Sequence, residues 1–192
     1  MKKTAIFASG SGSNFEAIVK AYRRGELNAV PAVCVCDRPG AYVTERARNL
    51  DIPVIAANPG DFESKAAYET FLSEKLQELE VDFICLAGYM RIVGPTLLER
   101  FPDRIINIHP SLLPAFKGAH AIRDAFEYGV KVFGVTIHFV DETLDGGKII
   151  SQDAFRYEGN DIEELEARIH AVEHELYPKT INRVAAIIDK RE

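Results

Sequence analysis

Cysteine is scarce and badly placed for cross-linking. Cys34, Cys36 and Cys85 are the only three in 192 residues, an odd set lying inside apolar runs, so no disulfide framework is expected. None shows the Cys-x-x-Cys spacing of zinc or redox sites, and all three read as buried free thiols. Blocks of Lys or Arg are missing and the net charge is −6, which excludes a surface that tracks nucleic-acid phosphates. An anionic ligand must then be held by local geometry. No apolar stretch approaches membrane-spanning length. The run that follows Lys2 and Lys3 reaches only Ala8 before Ser9 and Gly10 break it, too short for a secretory signal. A cytoplasmic protein with no membrane partner is expected. Around the acids Asp141, Glu142 and Asp145 no helix-borne ligand spacing such as His-x-x-x-His occurs, so no metal is expected either. Repeats and low-complexity linkers are also lacking. At 47% hydrophobic the chain can bury one good core, expected as a single unit over 1–192 with halves at 1–100 and 101–192.

What is present is a regular alternation of strands and helices. Thr4 to Ala8 reads as a short buried strand, followed by Ser9-Gly10-Ser11-Gly12-Ser13-Asn14 and an amphipathic helix from about Phe15 to Arg24. Glycines let backbone N–H groups approach an anion, Ser13 or Asn14 can cap the helix, and the helix N-terminus adds partial positive charge. A phosphate fits there. An ordinary tight turn is the alternative, because Phe15 occupies the place of the third glycine in a dinucleotide pattern. The strand from Val30 to Cys36 ends at Asp37, an acid that a dinucleotide-binding domain uses on a ribose, although such acids also serve turns alone. Helices are expected over Tyr42 to Leu50 and Phe62 to Leu79, with a short strand at Pro53 to Ala56 between them. Asp82 to Ala87 is nearly continuously apolar, as a central parallel strand should be. The apolar loop from Gly88 to Pro95 either lines a pocket for a flat heterocycle or simply packs.

The chain's main chemical signal is Ile105-Ile106-Asn107-Ile108-His109-Pro110. Side chains alternate along a strand, so Asn107 and His109 share one face while Ile106 and Ile108 pack on the other. Pro110 ends the ladder and leaves the pair at the strand's C-terminal edge, where open α/β sheets bind ligands. An amide and an imidazole there suit carbonyl addition, the amide donating to an oxyanion while the ring moves a proton. A satisfied polar pair at a strand end is the alternative. Val132 to Val140 alternates, with Thr136, His138 and Val140 on one face. Asp145, in the turn that follows, is available as a carboxylate partner that would hold the imidazole and favour its charged form. Lys148 to Tyr157 is read as a further, antiparallel strand, since the connection is too short for a crossover. A helix from Asp161 is expected to kink or restart at Pro178.

The longer string Asn107-Ile108-His109-Pro110-Ser111-Leu112-Leu113-Pro114-Ala115-Phe116-Lys117-Gly118-Ala119-His120-Ala121 resembles the active-site segment of the folate-dependent formyltransferases, in particular the branch acting on glycinamide ribonucleotide. The resemblance covers nearly the whole chain. It implies an α/β fold with a doubly wound, mostly parallel, Rossmann-like sheet and an antiparallel C-terminal extension. It implies formyl transfer from 10-formyltetrahydrofolate, with Asn107, His109 and Asp145 catalytic. Gly12, Ser13, Asn14 and Glu173 would hold the ribonucleotide. Met90, Arg91, Ile92 and Val93 match the pterin-binding loop, with Lys65 near the folate tail and Asn107, Val140 and Asp141 completing that site. Small-molecule substrates are the expected partners, and a homodimer is compatible with the resemblance. One departure stands out: Asp145-Gly146-Gly147-Lys148 replaces the family's Asp-x-Gly-Pro, which loosens the turn and adds a charge.

Overall fold

The computed structural model describes residues 1–190. Its strands are β1 (Lys2–Ala8), β2 (Ala29–Cys36), β3 (Val54–Ala56), β4 (Phe83–Leu86), β5 (Ile105–His109), β6 (Val132–Phe139) and β7 (Ile149–Arg156). Its helices are α1 (Ser13–Arg23), α2 (Tyr42–Asn49), α3 (Lys65–Glu78), α4 (Pro95–Arg100), α5 (Ala121–Tyr128) and α6 (Ile162–Asp189). The sheet runs β3-β2-β1-β4-β5-β6-β7, parallel through β5 and antiparallel for β6 and β7. The expected doubly wound sheet with its antiparallel extension is therefore the observed one. Strand order reverses between β1 and β4, which opens a crevice above their C-terminal ends. Among the described residues no helix is long and apolar enough to cross a membrane.

Alternation along β1 explains the two cores. Ile6 and Ala8 face one layer with Phe15 and Ile18 of α1 and Leu165, Ile169 and Ile181 of α6. Ala5 and Phe7 face the other, against Leu72 and Leu76 of α3 and Leu97 of α4. Each fully buried Ile or Leu contributes roughly 1.5–3 kcal/mol relative to exposure, so the register of β1 is strongly specified. Cys34, Cys36 and Cys85 are buried free thiols, and burial pushes Cys34 and Cys85 up to about 12.

Several features differ from the sequence reading. Helix α3 starts at Lys65, not near Phe62, because the Ser64 hydroxyl accepts from the Ala67 N–H at 3.0 Å and fixes the first turn. Phe62 packs instead on the rings of Tyr68 and Phe71. Helix α5 starts at Ala121, with exposed His120 at its N-cap and no side-chain cap. Neither Ser13 nor Asn14 caps α1. Gly12 is the N-cap, in the left-handed region at φ 77, and an added Cβ there would lie 2.4 Å from Val43 Cγ2. Finally, α6 neither breaks nor restarts at Pro178. Tyr177, with no exposed surface, donates its hydroxyl to the Leu86 carbonyl at 2.8 Å, with the Ile106 carbonyl at 3.3 Å. This anchor and the packing of Ile181 and Val184 hold the helix on the sheet through the proline.

Candidate active site

A cavity of about 510 Å³ occupies the crevice. Its floor is the C-terminal ends of β1, β4 and β5; one wall is the glycine loop from Ser9 to Asn14, another the 88–93 loop. The loop after β6 and the α6 residues His170 and Glu173 close the remainder.

The glycine loop and the 88–93 loop are tied together. Ser9 N–H donates to the Gly88 carbonyl at 3.1 Å, and Met90 N–H to the Ser9 hydroxyl at 2.9 Å. Met90 and Ile92 expose their apolar side chains at the rim, while Val93 is buried beneath. The buried Glu69 carboxylate accepts from Gly94 N–H at 2.6 Å, fixing where this loop enters α4. Arg91 lines the cavity but turns its Nε to Asp37 at 2.8 Å. Oδ2 of Asp37 is thereby engaged, while among the described residues its buried Oδ1 has no hydrogen-bond partner.

Register brings the polar cluster together. Asn107 pairs opposite His138, and His109 opposite Thr136, across β5 and β6. The Asn107 amide donates to His138 Nε2 at 3.2 Å, and His138 Nδ1 donates to the Phe139 carbonyl at 2.8 Å. Burial pushes His138 below the usual histidine range, against the Phe139 carbonyl and Asp145, which act the other way. His109 Nε2 donates to the Phe116 carbonyl at 2.8 Å. Asp145 lies 3.6 Å from His109 Nδ1 and 3.8 Å from His138 Nε2, and it accepts from Gly118 N–H at 2.8 Å. The carboxylate therefore joins the two strands to the 110–118 segment.

That segment is held more firmly than its prolines and glycine suggest. Thr136 Oγ1 donates to the Ser111 carbonyl and accepts from Leu113 N–H, Gln152 Nε2 donates to the Leu113 carbonyl, and the Leu113–Pro114 bond is cis. The unusual turn is tight as well: a Cβ at Gly147 would fall 1.9 Å from the Phe139 carbonyl oxygen, so only glycine fits. Asp141 accepts from Thr143 N–H and its hydroxyl, which holds Asp141 below the usual carboxylate range. At the Asp145–Lys148 turn itself, the Lys148 carbonyl accepts from Phe139 N–H at 2.9 Å and Asp145 accepts from Gly118 N–H at 2.8 Å, which hold its two ends.

At the other end, Glu173 is buried and receives Asn14 Nδ2 at 2.9 Å and His170 Nδ1 at 2.8 Å. The Glu173 contact raises His170 above the ordinary histidine range. Among the described residues the buried Asn14 Oδ1 has no hydrogen-bond partner, and it stands beside the glycine loop.

Every residue expected in the site lines this cavity except Lys65. Lys65 is exposed at the start of α3, and its Cε lies behind Gly94, within 2.9 Å of where a Cβ would sit. Among the lining residues not anticipated as site residues are two histidines, His138 and His170. His138 shares a strand face with Thr136, but only the β5–β6 register shows that this face meets Asn107. His170 precedes Glu173 by three residues on one helix, a spacing that could have flagged it.

A family model described as formyl transferase matches residues 2–181. Phosphoribosylglycinamide formyltransferase of Bacillus subtilis (strain 168) is 49% identical over 193 residues, covering 100% of this chain and 99% of that protein. The trifunctional purine biosynthetic protein adenosine-3 of Chironomus tentans is 36% identical over 188 residues, and there the match spans 96% of this chain but 14% of the longer protein. The crystal structure of glycinamide ribonucleotide transformylase 1 from Geobacillus kaustophilus superposes with a TM-score of 0.93 at 52% identity, covering 96% of this chain and 98% of that one. With a strand-edge Asn-x-His pair, a facing carboxylate and a glycine cradle in one crevice, and with the family model matching residues 2–181, the chain belongs to the formyl transferase family.

Proposed function

We propose that the protein transfers a formyl group from 10-formyltetrahydrofolate to the amino group of glycinamide ribonucleotide in purine biosynthesis. The observation that carries this reading is the meeting of Asn107, His109 and Asp145 in one small space between a glycine cradle and an apolar loop. Backbone N–H groups at Gly12, Ser13 and Asn14 suit the ribonucleotide phosphate, with α1 adding its dipole and Glu173 facing the same ligand. Met90, Arg91, Ile92 and Val93 would meet the pterin from one side, and Val140 and Asp141 from the other. Lys65, outside the cavity wall, would reach only a folate tail that projects past the rim. Residues 1–100 then supply most of the anion cradle and 101–192 most of the chemistry, within one cytoplasmic domain.

The substrate amine attacks the formyl carbon, and its lone pair forms the new C–N bond while the carbonyl electrons move to oxygen. Asn107 N–H and the protonated His109 ring stabilise that oxyanion, and Asp145 stabilises the imidazolium. Collapse breaks the bond to the folate nitrogen, which receives the proton that the amine gives up. For Nε2 of His109 to reach the oxyanion, the substrate oxygen must replace the Phe116 carbonyl as its acceptor. No covalent enzyme intermediate is needed.

The test is an incubation with glycinamide ribonucleotide and a 10-formylated folate, followed spectroscopically for deformylation, with each substrate omitted in turn. Deformylation that needs both substrates supports the reading. Deformylation without the ribonucleotide would mean hydrolysis, and none at all would leave a nucleotide-binding protein.

A further inference from the structure

Among the described residues His138 is the one buried ring in the cavity wall to which the reaction gives no task. Its two nitrogens have fixed and different roles. A carbonyl oxygen can only accept, so the 2.8 Å contact with Phe139 requires a hydrogen on Nδ1. An amide nitrogen can only donate, so the 3.2 Å contact with Asn107 Nδ2 requires a lone pair on Nε2. Both contacts are satisfied by a single species, the neutral Nδ1–H tautomer. Turning the Asn107 amide over would place its oxygen against that lone pair unless the ring were charged. The surroundings oppose charging, because burial of His138 is the largest influence on it and lowers its proton affinity. The groups facing the ring are Asn107 and His109 from β5 and Asp141 and Asp145 from the loop beyond β6.

Among the described residues the Asn107 side chain makes no other hydrogen bond, so its second N–H hydrogen is left for the cavity. We propose that His138 is a positioning residue: as the neutral Nδ1–H tautomer it accepts one Asn107 amide hydrogen and thereby presents the other to the developing oxyanion. Its task is to select one of two amide orientations. It carries no proton in the reaction. An Asn107 amide with its oxygen turned inward would repel the oxyanion it should stabilise. This role rests on the formyl-transfer reading given above, whereas the tautomer and the hydrogen bond do not.

Two measurements test it. Nitrogen-15 spectra of the histidine side chains in the ligand-free protein at neutral pH should show His138 as the Nδ1–H tautomer. An Nε2–H tautomer or an imidazolium would overturn the proposal, whatever the protein's activity proves to be. In steady-state assays His138→Leu, which removes the acceptor, should lower kcat on the order of 10²-fold with KM nearly unchanged, as for a lost oxyanion donor. His138→Gln places an amide oxygen near the position of Nε2, and should keep kcat within about tenfold and the pH profile unaltered, since hydrogen-bond geometry and not proton transfer is restored. Adding His138→Leu to Asn107→Ala should cost no more than about threefold further, because residues acting through one another are not additive. Losses that multiply, or a His138→Gln enzyme as slow as His138→Leu, would contradict the role. If His138→Leu does not fold, the Gln variant and the spectra still decide. Absence of formyl transfer in the unaltered protein, with the Nδ1–H tautomer present, would sink the functional reading but not the hydrogen-bond assignment.

Discussion

Replacing Asp145 by Asn changes one charge and almost nothing else. Asp145 sits at φ 46, a left-handed conformation that Asn tolerates, and the amide oxygen can still accept from Gly118 N–H. What disappears is the attraction between carboxylate and imidazolium at 3.6 Å, worth about 1 kcal/mol in a water-like medium and roughly 4–5 kcal/mol at an effective dielectric constant of 20. The two side chains are only 6% and 10% exposed, so the higher figure is the relevant one. In Asp145→Asn that attraction no longer offsets the cost of holding a charged ring against the oxyanion, so kcat should fall by at least the order of 10²-fold. The assay is steady-state deformylation with each substrate varied, alongside a thermal melt to show that the fold is kept. KM for either substrate should change little, because the interaction belongs to the transition state. An Asp145→Asn enzyme whose kcat stays within about threefold of the parent would refute an electrostatic role for this carboxylate.

Three further outcomes follow from the same structure. Gly12→Ala should destabilise the protein by about 2 kcal/mol or more, from the left-handed backbone and the collision with Val43, and raise KM for the ribonucleotide; urea denaturation and kinetics measure the two effects. Tyr177→Phe removes a fully buried donor to the Leu86 carbonyl and should cost about 1–3 kcal/mol, read by urea denaturation, with any loss of activity following that of stability. The raised His170 affinity for protons gives the folded state a stabilisation present below the unfolded value and lost as pH rises through the folded one. Its half-exposed side chain makes the effect small, so His170→Ala should be measurably less stable than the parent near about pH 5.5 and indistinguishable near about pH 8.5.

The parts of the site that follow a local period were legible in the sequence. Two-residue alternation placed Asn107 and His109 on one face, and Pro110 placed them at its edge. The strand–glycine–helix order located the glycine loop that lines the cavity, and the short connection before Lys148 gave the antiparallel return. What was hidden depends on partners far along the chain. His138 meets Asn107 only through the β5–β6 register, and Glu69 fixes the 88–94 loop from an earlier helix. The 110–118 segment looks hinged from its prolines and glycine, yet Thr136 and Gln152 pin it from two later strands. Pro178 carries a strong local signal for a break, but the anchoring of Tyr177 and the packing of α6 override it. The start of α3 was misplaced for a smaller reason: Phe62 fits the apolar period of the helix, while the Ser64 cap decides where helical hydrogen bonding begins.

The central claim is that one polar cluster receives the transferring carbonyl between two bound ligands. A crystal structure with glycinamide ribonucleotide and a non-transferable 10-acyl folate analogue tests it most directly. The account requires the acyl oxygen about 3 Å from Asn107 Nδ2 and within reach of the His109 ring, with the ribonucleotide amine on the facing side of that carbon. An analogue whose acyl group points away from Asn107, with both ligands fully ordered, would contradict it.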